Sequence, residues 1–161
     1  HIQLSFGASA FAGGLGTAIF AAGMALGRLG FGYYVSQKGL KKLIFWAALA
    51  GVLVSLPMPF VKELWVFMVL LFFAGIATAP YWPSLQSYCA EHLPHTDTTM
   101  LFILLSCAGV PGCGFFTWLT GEIGNHAGGL AKAFLLVPAC YLGILLISAY
   151  DWLKPPHKEK A

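Results

Sequence analysis

Charge is scarce in this sequence. Of 161 residues, nine are Lys or Arg and six are Asp or Glu, too few to solvate the surface of an ordinary globular domain. Disordered chains need that charge as well, so disorder is excluded. Neither the heptads of a coiled coil nor a Gly-X-Y period is present, and four cysteines are too few for a disulfide scaffold. Those four, Cys89, Cys107, Cys113 and Cys140, show no CxxC pairing, and three fall within apolar runs. A thiol there behaves as a small hydrophobe, so buried, unpaired thiols are expected. No methionine or basic segment opens the chain ahead of a short apolar core, which argues against a signal peptide and reads as part of a longer protein. Phosphate-binding GxGxxG, nucleophilic GxSxG and paired catalytic carboxylates are all missing, so neither an enzyme nor a cofactor is expected. A net charge of +3, clustered beside apolar runs, argues against nucleic acid as a partner.

Apolar residues dominate instead, at 58% of the chain with a mean hydropathy of +0.77. Five stretches lack Asp, Glu and Lys: 6–35, 43–61, 64–90, 98–121 and 133–150. Each is near the roughly 20 residues that carry a helix across about 30 Å of hydrocarbon. Barrel strands alternate in polarity, and these runs do not. The expectation is an all-α membrane protein, five transmembrane helices in one domain over 1–161, ending in a tail at 151–161. Arg28, Lys38, Lys41 and Lys42 surround the first connector, and Lys154, Lys158 and Lys160 lie in the tail. Lys62 and Lys132 stand alone near the second and fourth connectors. By the positive-inside rule the first connector and the carboxyl terminus are cytoplasmic.

Glycine and proline are placed within these runs. The first holds Gly7, Gly13, Gly14, Gly16, Gly23, Gly27, Gly30 and Gly32. Small residues four apart let membrane helices approach closely, and two columns stand out: Ser9, Gly13, Thr17 and Ala21, and Gly23 with Gly27. Pro80 and Pro83 in the third run, and Gly109-Val110-Pro111-Gly112 in the fourth, remove backbone hydrogen bonds. Breaks in both helices are expected.

Gly32, Gly39, Lys41 and Lys42 are spaced as in the loop signature of the major facilitator superfamily, which this segment resembles. Ser36 and Gln37 stand where that pattern has Asp and Arg. Gly27-Arg28-Leu29-Gly30-Phe31-Gly32 resembles the start of the equivalent helix in the carboxyl-terminal half. Ala79-Pro80-Tyr81-Trp82-Pro83-Ser84 is similar to the broken tenth helix of fucose-permease-like sugar transporters, and Pro111 to Gly124 to the end of their eleventh. The resemblance implies helices eight to twelve, part of a six-helix bundle, in a secondary transporter of the plasma (inner) membrane. Such a carrier moves a small polar solute, a sugar among the candidates, by alternating access. Its other partners would be the lipid bilayer and a missing amino-terminal half or other membrane subunits. A non-transporting membrane subunit that keeps the fold as scaffold is the rival reading.

The resemblance assigns the cavity mainly to the first, third and fourth helices here, with the second and fifth facing lipid. The substrate-binding candidates are Thr17, Tyr81, Trp82, Gln86 and Ser106: aromatic faces stack on rings, and amide or hydroxyl groups bond solute hydroxyls. Tyr81 and Trp82 equally suit packing beside the proline break. Gating or structural candidates are Arg28, Gly27, Gly32, Gly39, Lys41, Lys42, Pro80, Pro83 and Pro111. Arg28, the one charged residue within a run, fits either a gate or an anchor that reaches the interface. His92 and His95 with Glu91 and Asp97 form too sparse a set for a metal site, and no metal is expected.

Overall fold

The structure, a computed structural model, describes residues 6–34, 40–93, 97–126 and 130–153. Most of them are helical, with no strand among them. In order come α1 (Ala10–Tyr34), α2 (Leu40–Ser55), a 3-10 turn (Met58–Phe60), α3 (Leu64–Thr78), α4 (Tyr81–His92), α5 (Thr98–His126), the single turn α6 (Leu130–Ala133) and α7 (Leu136–Leu153). Among the described residues, four stretches are long and apolar enough to cross a membrane: Ala10–Tyr33, Leu40–Phe60, Leu64–Ala90 and Thr98–Asn125. A fifth apolar helix, Leu136–Tyr150, is shorter. The chain is an all-α membrane protein.

Local chemistry sets the ends. Gly7 turns the chain at φ +61°, a conformation that glycine adopts without steric penalty. Ser9 then caps α1, its hydroxyl accepting from the Ala12 N–H at 3.3 Å. The Asp97 carboxylate does the same for α5, accepting from the Thr99 N–H at 3.0 Å. The last run, expected from 133, divides: α6 ends at Ala133, and a turn closed by the Val137 N–H on the Phe134 carbonyl (3.1 Å) leads into α7. Pro138 sits in the first turn of α7, where a missing N–H matters least.

The two proline sites behave differently. The third run breaks as expected: α3 ends at Thr78 and α4 restarts at Tyr81. The Ala79 N–H covers both the Gly75 and Ile76 carbonyls, at 3.1 and 3.2 Å. The expected break in the fourth run is absent, because α5 runs on through Pro111. One proline deprives a single carbonyl, that of Cys107, of its helical donor, and the turns on either side hold the helix. Two prolines three residues apart leave too little between them.

Packing follows the smallest residues. α1 lies along α3, α2 packs between α3 and α7, and α4 bridges α2 and α5. A Cβ on Gly23 would strike the Phe72 carbonyl, and one on Gly75 the Phe20 carbonyl. On Gly27 it would meet the Ala79 methyl at 2.6 Å. Gly23 and Gly27 therefore form the seam that sequence spacing suggested. The other expected column does not pack: Ser9, Thr17 and Ala21 are exposed. Gly23 and Gly27 fix one face of α1 against α3, and that column points elsewhere. At the other end Met58, Phe67 and Met68 form a buried cluster that Phe134 joins, its ring 5.8 Å from that of Phe67. All four thiols are free, as expected, but Cys107 and Cys113 are exposed on α5 rather than buried. In a membrane chain an apolar environment need not be supplied by the protein itself.

Candidate functional site

The break after α3 aims Tyr81 at α7. Its ring centroid lies 6.0 Å from that of Tyr141. Tyr141 is buried beside Gly51 of α2, where any Cβ would come within 2.5 Å of the ring. The Tyr141 hydroxyl is 2.6 Å from that of Thr78, which in turn lies 2.7 Å from the Ala74 carbonyl. A threonine has one hydroxyl proton and a carbonyl can only accept. Thr78 therefore donates to Ala74, and Tyr141 donates to Thr78. The Tyr81 hydroxyl is different: it is buried and has no hydrogen-bond partner among the described residues. Such a stranded group costs about 1–3 kcal/mol.

These groups border a cavity of about 520 Å³, within the range of small-molecule sites. Phe20 of α1, Phe116 of α5 and Phe134 add aromatic faces to Tyr81 and Tyr141. Thr78 and Thr120 supply hydroxyls, although Thr120 also bonds the Phe116 carbonyl of its own helix at 2.7 Å. The walls are otherwise apolar. The arrangement suits a ring with a few polar substituents.

A second, smaller cavity of about 210 Å³ brings together Arg28, Gly32, Pro80 and Pro83, with Ser84 and Ser87 beside them. Pro83 has no N–H, so the carbonyl of Ala79, a residue that also lines this cavity, loses its helical donor. Arg28 is thus gathered with the α3–α4 break. Pro111, on the distant α5, is not part of this group.

Other candidates are scattered. Thr17 is exposed and donates to the Gly13 carbonyl at 3.4 Å. Ser106 is exposed, donates to the Phe102 carbonyl at 2.8 Å and lines only a shallow groove on α5. Trp82 is exposed on α4, its ring near Gly109 of α5, and Gln86 is half-buried one turn further on. Lys41 lies over the Tyr88 ring, 5.6 Å from its centroid, and Lys42 is exposed. Gly39, Ser36, Gln37 and His95 lie outside the described residues, within which no three potential metal ligands come together.

Thr78, Thr120 and Tyr141 escaped sequence reasoning. Tyr141 lies on the fifth helix, which the resemblance turned toward lipid, yet it faces the cavity. The available signal was polarity: a phenol or hydroxyl in an apolar run must find a partner or bond its own helix.

Apolar helices of spanning length around a broken helix define a polytopic α-helical integral membrane protein. A family model described as Major Facilitator Superfamily matches residues 1–161, and the chain belongs to that family. A gallate transporter from Pseudomonas putida is 28% identical over 133 residues, covering 83% of this chain and 29% of that protein. The chain thus spans under a third of the length of the curated relative it matches. No solved structure matches.

Proposed function

We propose that the chain forms helices eight to twelve of a secondary transporter that moves a small hydroxylated ring compound by alternating access. The observation that carries this reading is the cavity around Tyr81, Thr78 and Tyr141, with its stranded Tyr81 hydroxyl. Solute entering there gives that hydroxyl the partner it lacks, while Phe20, Phe116 and Phe134 cover the ring faces. A planar aromatic acid suits these walls better than a sugar, whose many hydroxyls would outnumber the polar groups available. The name of the Pseudomonas relative points the same way. Membership of a transporter family favours this role over an enzyme or a silent scaffold.

Rocking against a second bundle fits the carrier mechanism, with the Arg28 cavity and the α3–α4 break as its moving joint. The test is uptake by the full-length carrier of radiolabelled gallate, with hydroxylated aromatic acids and hexoses as competitors. Competition by aromatic acids alone supports the reading. Competition by hexoses alone returns the solute to the sugars, and absence of any saturable uptake favours the scaffold role.

A further inference from the structure

A third cavity, of about 490 Å³, lies beyond Tyr81 from the solute site, between α2, α4 and α7. Its lining changes character with depth in the same direction on all three helices. At the helix ends stand Lys41 in the first turn of α2, Tyr88 near the end of α4, and Ser148 and Tyr150 near the end of α7. About one turn further in come Ile44, Leu85 and Ile144, with Ile147 level with Ser148, and Tyr81 closes the inner end. The Lys41 ammonium lies over the Tyr88 ring, which fixes the cation at the rim. The side of the groove is open: Ile147 is 72% and Tyr150 68% exposed.

A cation and phenols at one end, an apolar trough below and a wall open along its length match an amphiphile rather than a water-soluble solute. Below the rim a solute would find no hydrogen bond short of Tyr81. Another helix, about 10–12 Å across, would need more room than this over two turns. We propose that the groove binds one anionic phospholipid, its phosphate on Lys41 with the Tyr88 and Tyr150 hydroxyls beside it, and an acyl chain along Leu85, Ile144 and Ile147. Basic pockets between membrane helices recognise such head groups by charge. Tyr81 and Ile144 border both this groove and the solute cavity, and the proposal does not depend on the transport reading.

Photoactivatable phosphatidylglycerol and phosphatidylcholine with identical acyl chains, each presented to the protein in nanodiscs, test the proposal. Adducts are mapped by mass spectrometry. The phosphatidylglycerol probe should label the segments around Leu85 and Ile147. Lys41→Gln should cut that labelling about five-fold, the equivalent of ~1 kcal/mol for one cation near an anionic lipid. Lys41→Arg should keep it. Leu85→Trp, which fills the trough, should remove it, and if that variant fails to fold the Lys41 pair still decides. Equal labelling by both lipids, no labelling by either, indifference to Lys41→Gln, or protection of the groove by a soluble aromatic acid would each overturn the proposal.

Discussion

At the scale of single residues the hydroxyls around Tyr81 make opposite predictions for stability and for uptake. Tyr81→Phe deletes a buried group without a partner, so thermal unfolding of the purified protein should be unchanged or slightly later. In the full carrier, KM for the hydroxylated solute should rise about five-fold, the value of one net hydrogen bond of ~1 kcal/mol. Thr78 and Tyr141 are linked asymmetrically. Thr78→Val strands the Tyr141 hydroxyl and should destabilise by about 1–3 kcal/mol. Tyr141→Phe leaves Thr78 bonded to the Ala74 carbonyl at 2.7 Å and should destabilise less. Adding Thr78→Val to Tyr141→Phe should then have little further effect, since no donor is left behind. Equal losses from the two single variants would mean that the hydroxyl pair does not act as drawn. Arg28 offers a different comparison. Lysine keeps charge and reach but loses the planar fork of donors. If Arg28 works at the α3–α4 break, the full-length Arg28→Lys variant reaches the membrane normally yet transports poorly; wild-type uptake would reduce Arg28 to an anchor.

Among the elements, the tightest approach is α1 on α3. Valine at Gly75 would drive against the Phe20 carbonyl, and overpacking of this kind destabilises by about 1–3 kcal/mol. Gly14 has open space around it, so Gly14→Ala should leave the melting temperature level or raise it through better helix propensity. Equal melting temperatures for the Gly75→Val and Gly14→Ala variants would show that the seam does not hold the two helices. The same seam shows how far the fold was legible beforehand. Spacing of four singled out both Gly23–Gly27 and Ser9–Gly13–Thr17–Ala21, but only contact with Phe72, Ile76 and Ala79 selects the first, and that information lies on another helix. The α3–α4 break could be read because Pro80 and Pro83 lack donors whatever surrounds them. Pro111 misled because the outcome depends on how much regular helix flanks it. The site was the least legible part. Tyr81 was found from its place beside the prolines, whereas Tyr141 and Thr78 become partners only when α7 folds back past α3, 63 residues along the chain.

For the whole molecule, alternation of apolar spans sorts the cations between two ends. Lys41 meets Tyr88 near the carboxyl end of α4, so the start of α2 and the end of α4 share one end. α6, which carries Lys132, packs by the 3-10 turn Met58–Phe60, two residues before Lys62. Lys62 and Lys132 therefore share the other end, although 70 residues of sequence and two spans separate them. The first end also carries Lys42, and the sequence adds Lys38 in the adjoining connector and Lys154, Lys158 and Lys160 after α7. Retention of positive charge on the cytoplasmic side then predicts that the Lys41 end and the carboxyl terminus face the cytoplasm, with Lys62 and Lys132 outside. An impermeant amine reagent applied to right-side-out vesicles should modify Lys62 and Lys132 and spare Lys42, and inverted vesicles should reverse the pattern. Both Lys41 and Lys42 are exposed, but the Lys41 ammonium lies over the Tyr88 ring, so the readout rests on Lys42. Modification of Lys42 and Lys62 from the same face would put on one side two residues that one spanning helix must hold apart, and would overturn the topology and the placement of the chain as helices eight to twelve. Reversed labelling would keep the bundle but turn it over, leaving the charge bias without effect on orientation.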